Sequence, residues 1–207
     1  MNVLVVSGIW PPDVGGPASH APALADVLLE DGHGVEVVTT ADAEPAERPY
    51  RVHWVSRGTP APLRHLAVVR AVRRAARRAD RVYATTMVRR ASLGAALARR
   101  PLVVKLVADE VFERERRSGR FDGTLEEFQE HRGGLRVRAL RATRTAALRR
   151  ARRVVVPSAY LREIAIGWGP TPSRGTVVPN PAPAPPLATA AAAARARAWG
   201  RPSPGRA

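Results

Sequence analysis

The chain contains no cysteine. That excludes a disulfide framework and any cysteine-ligated zinc or iron–sulfur centre. Lysine is almost missing too: of 34 basic residues only Lys105 is lysine, the rest being arginine. Aromatic residues make up 5% of the chain, too few for the stacking platforms on which single-strand nucleic-acid binders rely. No apolar run reaches the ~18 residues of a membrane span, and no basic segment precedes the short run Val3 to Val6, so no signal peptide is expected. The five histidines, His20, His33, His53, His65 and His131, lack metal-ligand spacing, and neither H-E-x-x-H nor G-x-S-x-G occurs. No metal and no cofactor are expected.

What is present reads as a folded domain. Of 207 residues 45% are hydrophobic and 25% charged, which excludes wholesale disorder. The length suits one domain with a sizeable core and is short for two. The net charge of +16 rests on arginine in an alanine-heavy chain, which reads as a composition bias more than as selection for a polyanionic partner. Nucleic acid is not an expected partner.

Strand-like and helix-like segments alternate. Asn2 to Ser7 is a continuous apolar run, as a buried parallel strand requires, and a loop from Gly8 to Gly16 follows it. Ser19 is expected to cap a helix with Pro22 in its first turn, ended by Asp31-Gly32-His33-Gly34. Val35 to Thr39 completes a crossover unit. Further strands are expected at 51–55, 82–85, 102–107, 154–156 and 176–178, and helices at 63–79, 88–98, 135–151 and from Ser158 through Ile166. Thr124 to Glu127 has capping-box spacing, and Gly133-Gly134 interrupts the helix it opens. The pattern predicts an α/β fold with a doubly wound, mostly parallel Rossmann-like sheet and helices on both faces. After Asn180 a Pro/Ala/Arg-rich stretch, 181–207, has no acidic residue and few large apolar ones, and is expected to be disordered.

Ligands of open parallel sheets bind beyond the carboxyl ends of the strands. Gly15 and Gly16 stand there, where paired glycines allow close backbone approach to a phosphate or sugar oxygen at a helix N-terminus; a tight turn explains them equally well. Lys105 ends the strongest strand, and Asp109 and Glu110 follow it, expected to face the glycine loop as hydroxyl-binding or proton-transferring carboxylates. A solvated, salt-bridged helix start is the plainer account of that acidic pair. His20 is the histidine nearest this edge. Elsewhere, Arg70, Arg73, Arg74, Arg77 and Arg78 recur on one helix face, opposite Val68, Val72, Ala75 and Ala79, a pattern that suits either an anionic membrane surface or a solvated outer face.

Taken in order, several short segments resemble the amino-terminal domain of a retaining, family 4 type GT-B glycosyltransferase. They are Gly8-Ile9-Trp10-Pro11-Pro12 with Gly15-Gly16 and His20, and Asp31 to Val37. Lys105 to Phe112 and Glu127-Phe128-Gln129 come next. Val156 to Leu161, Gly167-Trp168-Gly169 and Val177 to Asn180 close the series. The resemblance implies transfer of a hexose from a nucleotide-sugar donor to an acceptor hydroxyl, on a glycan or lipid, in a cleft between two Rossmann-like domains. It implies that residues 1–180 form the acceptor-side domain, that Gly15 and Gly16 approach the donor, and that Asp109 lies near the reacting sugar as the catalytic candidate. His20, Lys105 and Glu110 are then acceptor-side candidates. The resemblance stops at Asn180, where Pro181 stands in place of the family's glycine, and no acidic residue follows Glu163. The expectation is a truncated transferase without its carboxy-terminal donor-binding domain, inactive alone and cytoplasmic. The alternative is a non-catalytic binding subunit that recruits a separate donor-domain chain, or an anionic membrane at the inner face of the plasma membrane, through its arginine face.

Overall fold

The computed structural model describes residues 1–180, so the expected disorder of 181–207 lies outside the described residues. Seven strands form one all-parallel sheet: β1 (Asn2–Val6), β2 (Gly34–Ala41), β3 (Arg51–Ser56), β4 (Arg81–Ala84), β5 (Leu102–Lys105), β6 (Arg153–Val156) and β7 (Gly175–Val177). Their order across the sheet is β3-β2-β1-β4-β5-β6-β7. The chain winds outward from β1 to one edge, returns through a crossover to β4, and winds to the other edge. The reversal between β1 and β4 opens a crevice at the carboxyl ends of those two strands, where this fold class places its ligands.

The pleat divides the core. Val3 and Val5 point to the face covered by α1 (Gly16–Glu30), where they pack with Trp10, Ala21, Ala25, Val35 and Val37. Leu4 and Val6, both fully buried, point to the opposite face, covered by α2 (Ala61–Ala76) and α3 (Val88–Leu97) through Val68, Val72 and Ala91. Each such side chain contributes about 1.5–3 kcal/mol by leaving water. At the crossing of α2 and α3, a Cβ on Gly94 would come within 2.5 Å of Val72 Cγ1, so glycine there sets how closely the two helices pack. A third cluster, Val111, Phe112, Phe128 and Val137, joins α4 (Glu110–Arg117), α5 (Leu125–Glu130) and α6 (Leu135–Arg150).

Local signals fix several boundaries. Thr124 and Glu127 form the anticipated capping box, with the Thr124 N–H donating to Glu127 Oε2 at 2.8 Å and the Glu127 N–H to Thr124 Oγ1 at 3.2 Å. Ser158 caps α7 (Ala159–Gly167) by accepting the Leu161 N–H. At α1 the expectation fails: the helix begins at Gly16 with Gly15 as its cap residue, and Ser19 lies a turn inside, its hydroxyl directed to the Gly15 carbonyl. Pro22 is consequently interior and not in the first turn. The helix expected at 63–79 runs from Ala61 to Ala76, and the segment after β5 forms α4. Among the described residues no helix is long and apolar enough to cross a membrane.

Candidate functional site

The loop from Ser7 to Gly15 is pinned by its own polar groups. The Gly8 N–H donates to Thr86 Oγ1, and the Thr40 hydroxyl donates to the Gly8 carbonyl at 2.7 Å. Trp10, 1% exposed, packs edge-on against Tyr50 and anchors the loop in the core. Asp13 accepts from the Trp10 N–H and pairs with Arg57, whose guanidinium also reaches Asp42 Oδ2 and the Thr40 carbonyl. Hydrogen bonds from Arg57 hold the Asp13 carboxyl below its usual range. This bracing delivers Gly15 at φ 149°, a conformation that side chains rarely adopt, with Ile9 Cδ1 only 3.1 Å from where a Cβ would stand. Gly16 differs, since a Cβ there would meet nothing within 4 Å. Packing within the chain therefore accounts for Gly15 and leaves Gly16 unexplained.

Gly16 opens the 15-residue helix α1, which carries no acidic residue in its first turn. Its partial positive end faces a cavity of about 470 Å³ lined by Gly16, Pro17, His20, Thr85, Lys105 and Asn180, with Ser19, Ala23 and Val107. This cavity stands at the carboxyl ends of β1, β4 and β5. Lys105 follows Val104 on β5, so it points to the α1 side of the sheet, where it is 6% exposed. Burial alone pushes its pKa down, with no carboxylate acting against the shift. His20 Nε2 lies 3.2 Å from the Tyr83 hydroxyl, and burial, then the Lys105 charge, push its pKa down as well. The site therefore presents an imidazole whose protonation burial disfavours, a buried lysine amine and a helix N-terminus to one space. Such a set suits the oxygens of a phosphate or a sugar.

A second hollow of about 260 Å³ continues from the first through Thr85, Lys105 and Val107 to Glu110 and Arg114. Glu110 stands at its wall with Oε1 3.1 Å from Arg89 Nε. The structure thus brings Gly16, His20 and Lys105 together and places Glu110 next door.

Asp109 is the correction. Expected to face the glycine loop, it turns inward, its side chain 0% exposed. It caps α4 by accepting the Val111 N–H at 2.9 Å and accepts from Arg144 at 2.6 Å. Arg144 in turn lies over the Trp168 ring, and Trp168 Nε1 donates to Gln129, whose amide is 3.4 Å from Asp109. The carboxylate holds four helices together and has no free face toward the cavity. Arg70, Arg73, Arg74, Arg77 and Arg78 are all exposed along α2 and its C-terminal end, away from this edge, and Arg78 is engaged by Glu36 at 2.8 and 2.7 Å. Residues that sequence reasoning passed over include Tyr83, Thr85 and the Asp13–Arg57 brace. The strand parity that places Val82 and Ala84 in the core would have placed Tyr83 on the His20 side. Among the described residues no group of three or more His, Asp or Glu could hold a metal ion.

Solved structures show the same fold. The Anabaena protein Alr3699/HepE, in complex with UDP and glucose, is 22% identical with a TM-score of 0.54 over 86% of this chain and 44% of that one. Sucrose-phosphate synthase from Thermosynechococcus elongatus is 13% identical with a TM-score of 0.61, over 86% and 47%. The apo lipopolysaccharide outer core galactosyltransferase WaaB is 10% identical with a TM-score of 0.55, over 88% and 46%. The chain spans less than half the length of each of these structures. No curated protein matches it in sequence. The glycosyl transferase 4-like domain matches residues 15–181, from the glycine that caps α1 to just past the Asn180 that closes the cavity, and the chain belongs to that family.

Proposed function

We propose that this chain supplies the acceptor side of a glycosyltransferase that moves a hexose from a nucleotide-sugar donor to an acceptor hydroxyl with retention of configuration. The observation that carries this reading is the cavity shared by Gly16, His20, Lys105 and Asn180 at the β1/β4 reversal. In this reading Gly15 and Gly16 approach the donor's phosphates or transferred sugar, Lys105 and His20 hold acceptor oxygens, and Glu110 accepts a further hydroxyl. Asp109 acts as a positioning residue for the α4–α7 wall and not as the catalytic group. No carboxylate lines the main cavity among the described residues, and apolar side chains stand exposed at the same edge, with Val14 at 98% and Val107 at 44%. Both features suit a second, donor-binding lobe closing over the cavity, supplied by another polypeptide segment or chain, without which no transfer occurs.

Calorimetric titration of UDP-glucose and GDP-mannose into the 207-residue chain tests this, together with turnover measured on the same sample. Weak binding, lowered further in Gly16→Ala, with no turnover is the expected outcome. Tight saturable binding with turnover by the chain alone refutes the half-site reading, and binding indifferent to Gly16 removes the cavity from it.

A second reading, a recruiting surface for an anionic membrane, draws on the exposure of Arg70, Arg73, Arg74 and Arg77. Flotation with vesicles containing phosphatidylserine decides it. Binding unchanged by charge reversal of those four residues defeats it.

A further inference from the structure

A groove of about 640 Å³ lies apart from the cavity described above. It runs between α2, α3 and α6, and five basic side chains enter its lining: His65, Arg89, Arg90, Arg114 and Arg150. None of its described lining residues is acidic; Glu110, beside the groove, pairs with Arg89 and offsets part of the repulsion on Arg90. Like charges gathered in a recess repel one another more strongly than on an open surface, because less water screens them. Arg90 shows the effect: burial first, then the charges of Arg89 and Arg64, push its pKa below the ordinary arginine value. His65 is pushed down by burial and by Arg90, Arg64, Arg89 and Arg114. An anion seated among them would relieve that repulsion.

A second, independent feature lies in the same groove. Ser92, 3% exposed, lines it with a hydroxyl that has no hydrogen-bond partner. A buried hydroxyl without a partner costs free energy that a ligand oxygen would recover. Apart from Thr143, whose hydroxyl accepts from Arg89 at 3.4 Å, the rest of the lining is apolar. Leu66 and Leu93 are 46% and 49% exposed, and Val69 and Leu140 line the groove with them. Guanidinium groups grip a phosphate through paired N–H donors, and an apolar floor beside them requires a hydrocarbon to cover it.

We propose that the α2/α3/α6 groove is a binding site for a phosphate ester carrying a hydrocarbon arm, the phosphate held by Arg90, Arg114 and the Ser92 hydroxyl and the arm lying on Leu66, Val69, Leu93 and Leu140. The site does not depend on the sugar-transfer reading, since it is defined by binding alone; it shares Arg114 with the hollow beside the transfer cavity and no residue with the main cavity.

Titrations with octyl phosphate below its micellar concentration, inorganic phosphate and octanol test the proposal on the whole chain at physiological salt. Octyl phosphate should bind at least about 100-fold more tightly than inorganic phosphate, the gain of roughly four buried methylenes. Octanol should bind at least tenfold more weakly than octyl phosphate. Arg114→Gln, on an exposed part of α4, and Arg90→Gln should each weaken octyl phosphate about tenfold, while Arg73→Gln with Arg74→Gln on the outer face of α2 should leave it unchanged. Circular dichroism confirms folding of each variant, and Arg114→Gln carries the test if Arg90→Gln fails to fold. Equal affinity for octyl and inorganic phosphate overturns the proposal. So does equal weakening by the Arg73/Arg74 pair, which marks attraction to net charge only, and so does an affinity indifferent to Arg114.

Discussion

Replacing Arg144 by methionine keeps most of the side-chain volume and strips Asp109 of its counter-charge. The carboxylate is 0% exposed and Arg144 5%, so water does not reach the pair to take over the lost partner. An uncompensated buried charge of this kind costs about 3–5 kcal/mol, well above the worth of a surface pair. With a urea slope of about 2 kcal/mol/M, the unfolding midpoint of Arg144→Met should fall by about 1.5–2.5 M. The double variant Asp109→Asn/Arg144→Met should recover most of that loss, because asparagine still caps α4 and no charge is left behind. The cycle isolates the pair, with the Asp109→Asn single variant completing it. A midpoint shift under about 0.5 M for Arg144→Met, or a double variant as unstable as the single, refutes the positioning role. The same assay separates the two accounts of Asp109: a residue acting in the chemistry would lose function on amidation without moving the midpoint.

Lys105→Met should raise the melting temperature, because burying an ammonium with no partner is unfavourable; scanning calorimetry checks the sign, and an unchanged or lower melting temperature refutes the reasoning. Gly16→Ala should leave stability unchanged or raise it by about 0.5–1 kcal/mol, since Ala is the better helix former and the position has open space, yet it should weaken ligand binding. Gly94→Ala should cost about 1–3 kcal/mol in urea, by forcing α2 and α3 apart. Hydrogen bonds from Arg78, then His53, hold the Glu36 carboxyl down at about 2. That lowered pKa contributes stability present above the ordinary carboxylate pKa of 4.5 and lost as pH falls toward about 2, so Glu36→Gln should flatten the pH dependence of unfolding by about one proton across that window. An unchanged slope there refutes the pairing.

The success of sequence reading followed the range of the interaction that decides each feature. Thr124 and Ser158 cap their helices through groups three residues away, so both caps were visible in the letters alone. Continuous apolar runs of strand length, separated by helical periods, identified a parallel sheet because burial on both faces leaves no polar alternation to find. Ser19 misled because interactions distant in sequence overrode its local signal. Asp13, Trp10 and Arg57, the last of them 44 residues from Asp13, brace the loop so that the helix starts at glycine instead.

Asp109 was misplaced for a similar reason, a partner distant in sequence. An acidic residue just past a strand's carboxyl end has two destinations, the crevice or the cap of the next helix, and local sequence supports both. What decides is Arg144, 35 residues on, which approaches from α6 and is itself held over Trp168 by α7. Lys105 presents the converse. No counter-charge claims it, and so the same strand end that turned one charged residue inward left another facing the cavity. In the proposed function the chemistry at this edge rests on the side chain whose charge the fold does not consume. In this chain that is the single lysine and not the aspartate.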